Sequence, residues 1–352
     1  MLALRYFGIR DMRLVEVPEP EPGDGEVKIK IKQCGICGTD QHEYIAGPIS
    51  LSTRPHPVTG KMIPNITHGH EFAGEIVSIG KDVTGWQIGD RVAVSAGITC
   101  GKCSYCRAGK PMQCIRLVTF GAGMDGGMSE YVVAPAEILF RMPEGMSYEV
   151  AALCDPMAIS VRGVRRAKIG LGDKIAILGL GPVGIFAMQL SMLAGAQKMI
   201  VIDPIAMRRD MAMRLGATAA FDPADVNLRK KIAELTGGLK ADITMECSGD
   251  QKAMLMAPNI TAAGGTICLI GAMLGTCDFP FWPITWKEQS IIPSMGYTPY
   301  EFAIGLDLLA TEKVKGEPLI TDRIKLKDII EKGFKVLAGP ERANHLKIIV
   351  AP

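Results

Sequence analysis

Four of the ten cysteines lie in one short run, Cys100, Cys103, Cys106 and Cys114, spaced C-x2-C-x2-C-x7-C. Four thiolates packed this closely suit a tetrahedral zinc ion with no position left for water. Iron–sulfur clusters also use C-x2-C-x2-C, but the gap before Cys114 and the absence of a proline after it argue against one. A second group is scattered along the chain: Cys37, then His68-Gly69-His70-Glu71, then Asp155. Together they offer a thiolate, an imidazole and carboxylates, too few ligands to close a site. That is the composition of a catalytic zinc, which keeps one position for water or substrate. Asp40 could accept from the ligand imidazole and fix its tautomer. Thr39 and His42 follow on the same turn as Cys37. A hydroxyl next to a metal-bound oxygen, backed by an imidazole, makes a proton relay.

A third group reads as a nucleotide site. Gly179-Leu180-Gly181-Pro182-Val183-Gly184 is GxGxxG, preceded by a β-branched run and followed by a helical pattern. A second β-branched run ends in Asp203, nineteen residues past Gly184. The glycines make the tight turn and let the backbone approach a pyrophosphate, while the helix N-terminus supplies free N–H groups and a positive dipole end. Gly179, Gly181, Pro182, Val183 and Gly184 are therefore candidates for the phosphates. Asp203 is the candidate for both ribose hydroxyls; its charge repels a 2′-phosphate and so favours NAD over NADP. Arg208 and Arg209 would suit such a phosphate and equally suit the polar face of the next helix, the reading preferred here. Arg208 stays among the cofactor-binding candidates.

These residues need elements to hold them. In the first third, 27–33 alternates apolar and polar at period two, and 72–79, 91–94 and 129–134 are further short β-rich runs. Asp155-Pro156 reads as a helix start, with an acceptor at the cap and proline at the first helical position. After 170–173 the pattern alternates. Strands are expected at 174–178, 198–202, 219–222, 241–247 and 265–270, and helices at 183–194, 205–215, 227–236 and 251–261. Such alternation predicts βαβ units and a parallel sheet covered on both faces. The tail carries a strand at 291–295, a helix at 299–311 and a closing strand at 347–350, with no second nucleotide fingerprint, so it is expected to return to the first domain.

The 352 residues, 48% of them hydrophobic, fit two domains with sizeable cores. The expected partition is 1–155 with 290–352, and 156–289. Lys and Arg number 39 against 37 Asp and Glu, a formal charge of +2, and no basic face speaks for nucleic acid. The apolar stretch 175–202 is broken by Gly179, Gly181, Pro182 and Gly184, so it reads as strand, turn, helix and strand rather than a membrane span. The start lacks the basic region, long apolar run and cleavage site of a signal peptide. A cytoplasmic protein with no membrane partner is expected.

The chain resembles the zinc-dependent medium-chain alcohol/polyol dehydrogenases nearly end to end. The carriers are Cys34-Gly-Ile-Cys37-Gly-Thr39-Asp40-Gln-His42, Gly69-His70-Glu71, the run from Val83 to Val92, the four-cysteine lobe and Gly179 to Gly184. Within that family it is similar to the branch of 2,3-butanediol and sorbitol dehydrogenases, through His42 to Ile49 and Pro55 to Gly60. The resemblance implies an irregular β-rich, GroES-like catalytic domain and a doubly wound Rossmann cofactor domain. It implies that Cys37 and His70 ligate the catalytic zinc, with Glu71 and Asp155 as exchanging carboxylates, Thr39 and His42 as the relay, and the four cysteines on structural zinc. Asp155 departs from the glutamate usual in this branch and is one methylene shorter. Tyr44, Phe120, Met124, Met157 and Met295 are candidates for an apolar substrate pocket, although methionine often only fills gaps.

The leading expectation is a zinc- and NAD-dependent dehydrogenase of a secondary alcohol, a small vicinal diol or short polyol, with two zinc ions per chain and a homodimeric or homotetrameric assembly. An L-threonine 3-dehydrogenase shares these motifs. A zinc- and nucleotide-binding sensor without catalysis is a third reading, which the relay and the open ligand set oppose.

Overall fold

In the strand Glu26–Gly35, Val27, Ile29 and Ile31 are buried while Lys30 and Lys32 face outward or sit half-buried, the period-two pattern of a sheet with one covered face. The computed structural model, which describes residues 1–49 and 65–352, builds a seven-stranded sheet around this strand. Its path runs Ile320–Lys325, Lys347–Ala351, Glu26–Gly35, Glu71–Ile79, Arg91–Val94 and Leu139–Arg141, and Tyr131–Pro135 also pairs with Glu26–Gly35. The first two run parallel to each other and the remaining pairs are antiparallel. A hairpin, Leu2–Gly8 with Asp11–Glu16, and the strand Ile320–Lys325 are elements the sequence pattern had not disclosed.

This sheet carries its own core. Phe72 and Phe120 meet edge to face with centroids 5.2 Å apart, and Tyr44 stacks at a tilt on Phe334 at 5.3 Å. Tyr44 and Phe120 are buried within that cluster, with Met124 packed against it. Among the described residues, Tyr44 and Phe120 thus serve the core of this sheet, with Met124 at its margin.

The second unit spans Pro156–Tyr297, and the first comprises Met1–Asp155 with Thr298–Pro352. The second unit's sheet is six-stranded and wholly parallel, in the order Ala219–Phe221, Lys198–Ile202, Lys174–Leu178, Ala241–Glu246, Thr261–Leu269, Ser290–Pro293. The chain begins at Lys174–Leu178, steps outward twice, then returns to the other side of its first strand. That reversal is the switch point of a doubly wound fold, where ligands bind beyond the carboxyl ends of the strands. The central strands read as continuous apolar runs because both faces are covered. Met157 is fully buried, whereas Met295 is largely exposed.

Two boundaries differ from expectation. Ser290–Pro293 extends the parallel sheet beside Thr261–Leu269, so 290–297 stays with the second unit and the return comes at Thr298. Asp155 does not cap a helix: a short helix, Tyr148–Ala152, is capped by Ser147, and the next, Cys154–Ala167, already includes Asp155 in its first turn. Pro156 is tolerated there because first-turn N–H groups have no partner within the helix. The apolar stretch 175–202 is strand, helix and strand, and no helix among the described residues is long and apolar enough to cross a membrane.

If Phe120 is core and not pocket, Phe120→Ala should lower unfolding free energy by about 3–5 kcal/mol in denaturant titration. The relative kcat/KM values for a panel of alcohols should stay as they were. A large change in that order with little loss of stability would return Phe120 to a substrate pocket.

Candidate functional site

The strand Glu26–Gly35 ends where the chain turns into the helix Gly38–Ala46, and Cys37 sits at that corner. The corner is fixed by Asp40, whose Oδ2 accepts from the Cys37 N–H at 2.9 Å. His70 immediately precedes the neighbouring strand Glu71–Ile79, and Glu71 lies opposite Gly35 in the antiparallel register. The register brings one ligand atom each from Cys37, His70 and Glu71 within 4.8 Å of one another. Asp155 is not part of that group, yet its charge acts on both His70 and Lys347. The missing methylene relative to glutamate is consistent with a carboxylate that stops short.

Charge around the group is finely arranged. Asp40 Oδ1 lies 3.8 Å from His70 Nδ1 and 3.5 Å from His68 Nδ1, with Asp40 and His68 both buried. Burial would raise the Asp40 carboxyl, but the two imidazoles and the Cys37 N–H outweigh it and hold it below the usual value. Burial likewise pulls His70 down. The Cys37 and Asp40 charges, a hydrogen bond with Cys37 and the Asp155 charge overcome that and keep it well above an ordinary histidine. The negative charges that raise it, on Cys37, Asp40 and Asp155, would equally favour a metal cation bound to the neutral imidazole.

Sequence reading missed the residue that balances Glu71. Lys347, at the start of the last strand, forms an ion pair with Glu71 Oε2, and both side chains are almost wholly buried. Lys347 Nζ also donates to the Ile36 carbonyl at 3.0 Å. Burial lowers the Lys347 ammonium, but Glu71, Cys37 and Asp155 together hold it above its usual value. Gly35 makes the pairing feasible, since a Cβ there would overlap Glu71 Oε2. The other oxygen, Oε1, is buried without a hydrogen-bond partner among the described residues. A thiolate, an imidazole and that spare carboxylate oxygen are a donor set that zinc fits, open to a further ligand.

Thr39 Oγ1 is 3.7 Å from Cys37 Sγ, and His42 lies one helical turn on, half-buried. Burial pulls His42 below the ordinary histidine value, with Glu43 opposing. The imidazole is therefore neutral, and able to take a proton, over a wider acid range than a free histidine.

In the four-cysteine lobe the Sγ atoms of Cys103 and Cys106, and of Cys100 and Cys114, are 3.5 Å apart, and those of Cys103 and Cys114 are 4.0 Å apart. Tetrahedral zinc with bonds of about 2.3 Å sets its sulfurs about 3.8 Å apart, so the lobe has the right size. The Cys106 N–H draws the Cys103 thiol down to about 6, while burial and its sulfur neighbours push Cys106 up to about 12.

In the second unit, Gly179 follows its strand with φ +89°, and Gly184 packs so closely on the Gly179 carbonyl that a Cβ would overlap it. Gly181 caps the helix Pro182–Leu193, with Pro182 and Val183 in its first turn. Asp203 is buried; Oδ2 accepts from Leu180 N–H at 2.7 Å and Oδ1 from Ile205 N–H at 2.8 Å. It thus ties the fingerprint to the next loop. Arg208 reaches within 3.9 Å of Asp203 Oδ2, while Arg209 is bound to the Asp203 carbonyl and to Asp222.

Comparison with known proteins agrees with both halves. Residues 23–144 match the alcohol dehydrogenase GroES-like domain and 182–311 the zinc-binding dehydrogenase domain. The chain is 34% identical to the (R,R)-butanediol dehydrogenase of Bacillus subtilis, over 100% of both chains. It is 31% identical to a sorbitol dehydrogenase of Halalkalibacterium halodurans, over 98% of this chain and 97% of that one. A zinc-binding dehydrogenase from Sinorhizobium meliloti, solved bound to NADP, superimposes with TM-score 0.89 at 30% identity, covering 100% of this chain and 99% of the other.

Removing the Lys347 charge should strand Glu71. Lys347→Met is expected to cost about 3–5 kcal/mol in equilibrium unfolding, and Glu71→Gln in the same chain should recover much of that loss. A single variant as stable as the parent would contradict the pairing.

Proposed function

The chain belongs to the zinc-dependent medium-chain alcohol and polyol dehydrogenases, and from that we propose that it oxidises a small vicinal diol or short polyol to the hydroxyketone with NAD, using two zinc ions. The observation that carries the reading is the convergence of Cys37, His70 and Glu71, three donors that leave room for a substrate oxygen. When bound there, zinc lowers the pKa of the substrate hydroxyl, and the nicotinamide accepts the hydride. Thr39 would accept the substrate hydroxyl proton while passing its own to His42, whose lowered pKa keeps the imidazole neutral and so available as an acceptor. The four-cysteine lobe would hold the second ion.

The likeness to butanediol and sorbitol dehydrogenases supports a diol, and so does a physical argument. A second hydroxyl that bonds near the first orients the reacting carbon, and orientation lowers the barrier. The loop from Pro55 to Gly60, which carried part of this likeness, lies outside the described residues. For the cofactor, Asp203 supports NAD, whereas Arg208 beside it is the feature an NADP enzyme would use. A second copy of the chain is the expected partner. The helix Phe281–Trp286 exposes Phe281, Trp282 and Trp286, and the segment leads into Ser290–Pro293, the edge strand of its sheet. Exposed aromatics next to an unpaired edge are a surface that association would cover.

The test is initial rates with 2,3-butanediol, a cyclic diol, sorbitol, L-threonine and 2-butanol, each with NAD and NADP at equal low concentration. A diol with NAD should be best, and 2-butanol slower by roughly tenfold or more, the scale of one hydrogen bond. Parity of 2-butanol overturns the diol reading. A clear lead for L-threonine installs the threonine dehydrogenase alternative, and faster reduction of NADP transfers the ribose role to Arg208.

A further inference from the structure

His68 is fully buried, yet neither of its ring nitrogens has a hydrogen-bond partner among the described residues. It belongs to the run His68-Gly69-His70-Glu71 but not to the group of Cys37, His70 and Glu71 that could hold an ion. A buried donor left unpaired is destabilising, and an apolar side chain of similar size would carry no such penalty. What the ring faces is therefore the reason to look for.

It faces a carboxylate. His68 Nδ1 lies 3.5 Å from Asp40 Oδ1, and His70 Nδ1 approaches the same oxygen to 3.8 Å. The other oxygen, Oδ2, is taken by the Cys37 N–H. One buried carboxylate thus stands between the Cys37 corner and two imidazoles. A carboxylate oxygen has lone pairs for two donors, so a small closing movement would seat both N–H groups on Oδ1. The His68 tautomer that does so is neutral and carries its proton on Nδ1.

The ring is mounted from outside the site. The His68 N–H bonds the Leu4 carbonyl at 3.1 Å, and the His68 carbonyl accepts from the Met128 N–H at 2.8 Å. The Thr67 and Gly69 carbonyls accept from the Gly126 and Gly127 N–H groups at 2.8 and 2.9 Å. The imidazole tilts against the Tyr6 ring, with centroids 6.0 Å apart. Residues 67–69 are thus stitched on both sides, and the imidazole has a rigid base.

We propose that His68 is a positioning residue for the metal site: a fixed N–H that holds the Asp40 carboxylate against His70 and so orients the His70 imidazole toward the ion. A carboxylate bound through Oδ2 alone could swing Oδ1 away from His70, and a second donor on Oδ1 removes that freedom. Partners behind a ligand imidazole fix its orientation and are felt in metal affinity. The inference rests on the metal reading of Cys37, His70 and Glu71.

His68→Leu and His68→Asn test it, because Asn keeps an N–H donor close to the place of Nδ1 whereas Leu keeps only apolar bulk. Parent and variants are loaded with cobalt(II), whose absorption bands distinguish a one-thiolate site from the four-cysteine lobe, and release of the metal to excess chelator is followed. His68→Leu should lose cobalt from the Cys37 site about tenfold faster than the parent and His68→Asn should stay within about threefold of it, with the lobe unchanged in both. A ring kept only for packing gives the reverse order, so Leu holding the ion as well as Asn overturns the proposal. In an Asp40→Asn background the added effect of His68→Leu should vanish, and an undiminished effect there overturns the proposal as well, since it would not pass through Asp40. Should His68→Leu fail to fold, His68→Gln replaces it: its amide matches Nε2 rather than Nδ1, and it must release the ion faster than His68→Asn. A parent that takes up cobalt at the lobe alone brings down the metal reading itself, and this inference with it.

Discussion

The Glu71 carboxylate and the Lys347 ammonium neutralise each other where neither reaches water, and much of the first unit is arranged to allow it. An unpartnered charge at such a depth costs several kcal/mol, so the pair constrains everything that brings it together. Gly35 must lack a side chain, the last strand must pair with Glu26–Gly35, and Lys347 must start that strand. Once paired, Glu71 has one oxygen committed and the other turned loose beside Cys37 and His70. The same buried region also holds Asp40, His68 and Asp155. It is a place with more acid than base, and a divalent cation is the natural complement.

The second unit meets a different requirement with neutral means. It must bring backbone close to an anionic ligand without a side chain in the way. Two glycines allow the approach at Gly179 and Gly184, and the helix Pro182–Leu193 points its N-terminus at the same spot. Two buried carboxylates then organise the neighbouring loops from inside, Asp203 by holding Leu180 and Ile205, and Glu246 by holding Ser248 and Gly249. Carboxylates that accept two or more backbone N–H groups rigidify a loop strongly, because freeing either donor would leave a buried charge unsatisfied.

What was legible in the sequence follows from sequence distance. Period-two and βαβ patterning is local, and the strands Lys174–Leu178, Lys198–Ile202 and Arg91–Val94 could be read to their ends. Close spacing likewise disclosed the four-cysteine lobe and the glycine fingerprint. Cys37, His70 and Glu71 were found through their chemical types. Lys347 was not, because its partner is 276 residues away and one lysine among 39 basic residues carries no local mark. Phe120 could be read either as pocket lining or as core, because an apolar residue near a site looks the same in sequence whether ligand or core covers it; the structure shows it within the core cluster. Asp155 followed by proline imitates a cap, and the preceding turn Tyr148–Ala152 was too short to register. Residues 290–297 were misassigned because an edge strand of a parallel sheet resembles any other short apolar run.

The central claim is that the buried acid around Cys37, His70 and Glu71 exists to hold zinc, and it is tested most directly by returning zinc to metal-stripped protein. Stepwise addition, followed together by thermal unfolding and by dehydrogenase rate, should show binding that ends at about two ions per chain. Stability should rise with both ions and activity should be restored only as the Cys37 site fills. Protein that keeps its full activity after the metal is removed, or that regains it with the four-cysteine lobe alone loaded, would contradict the account.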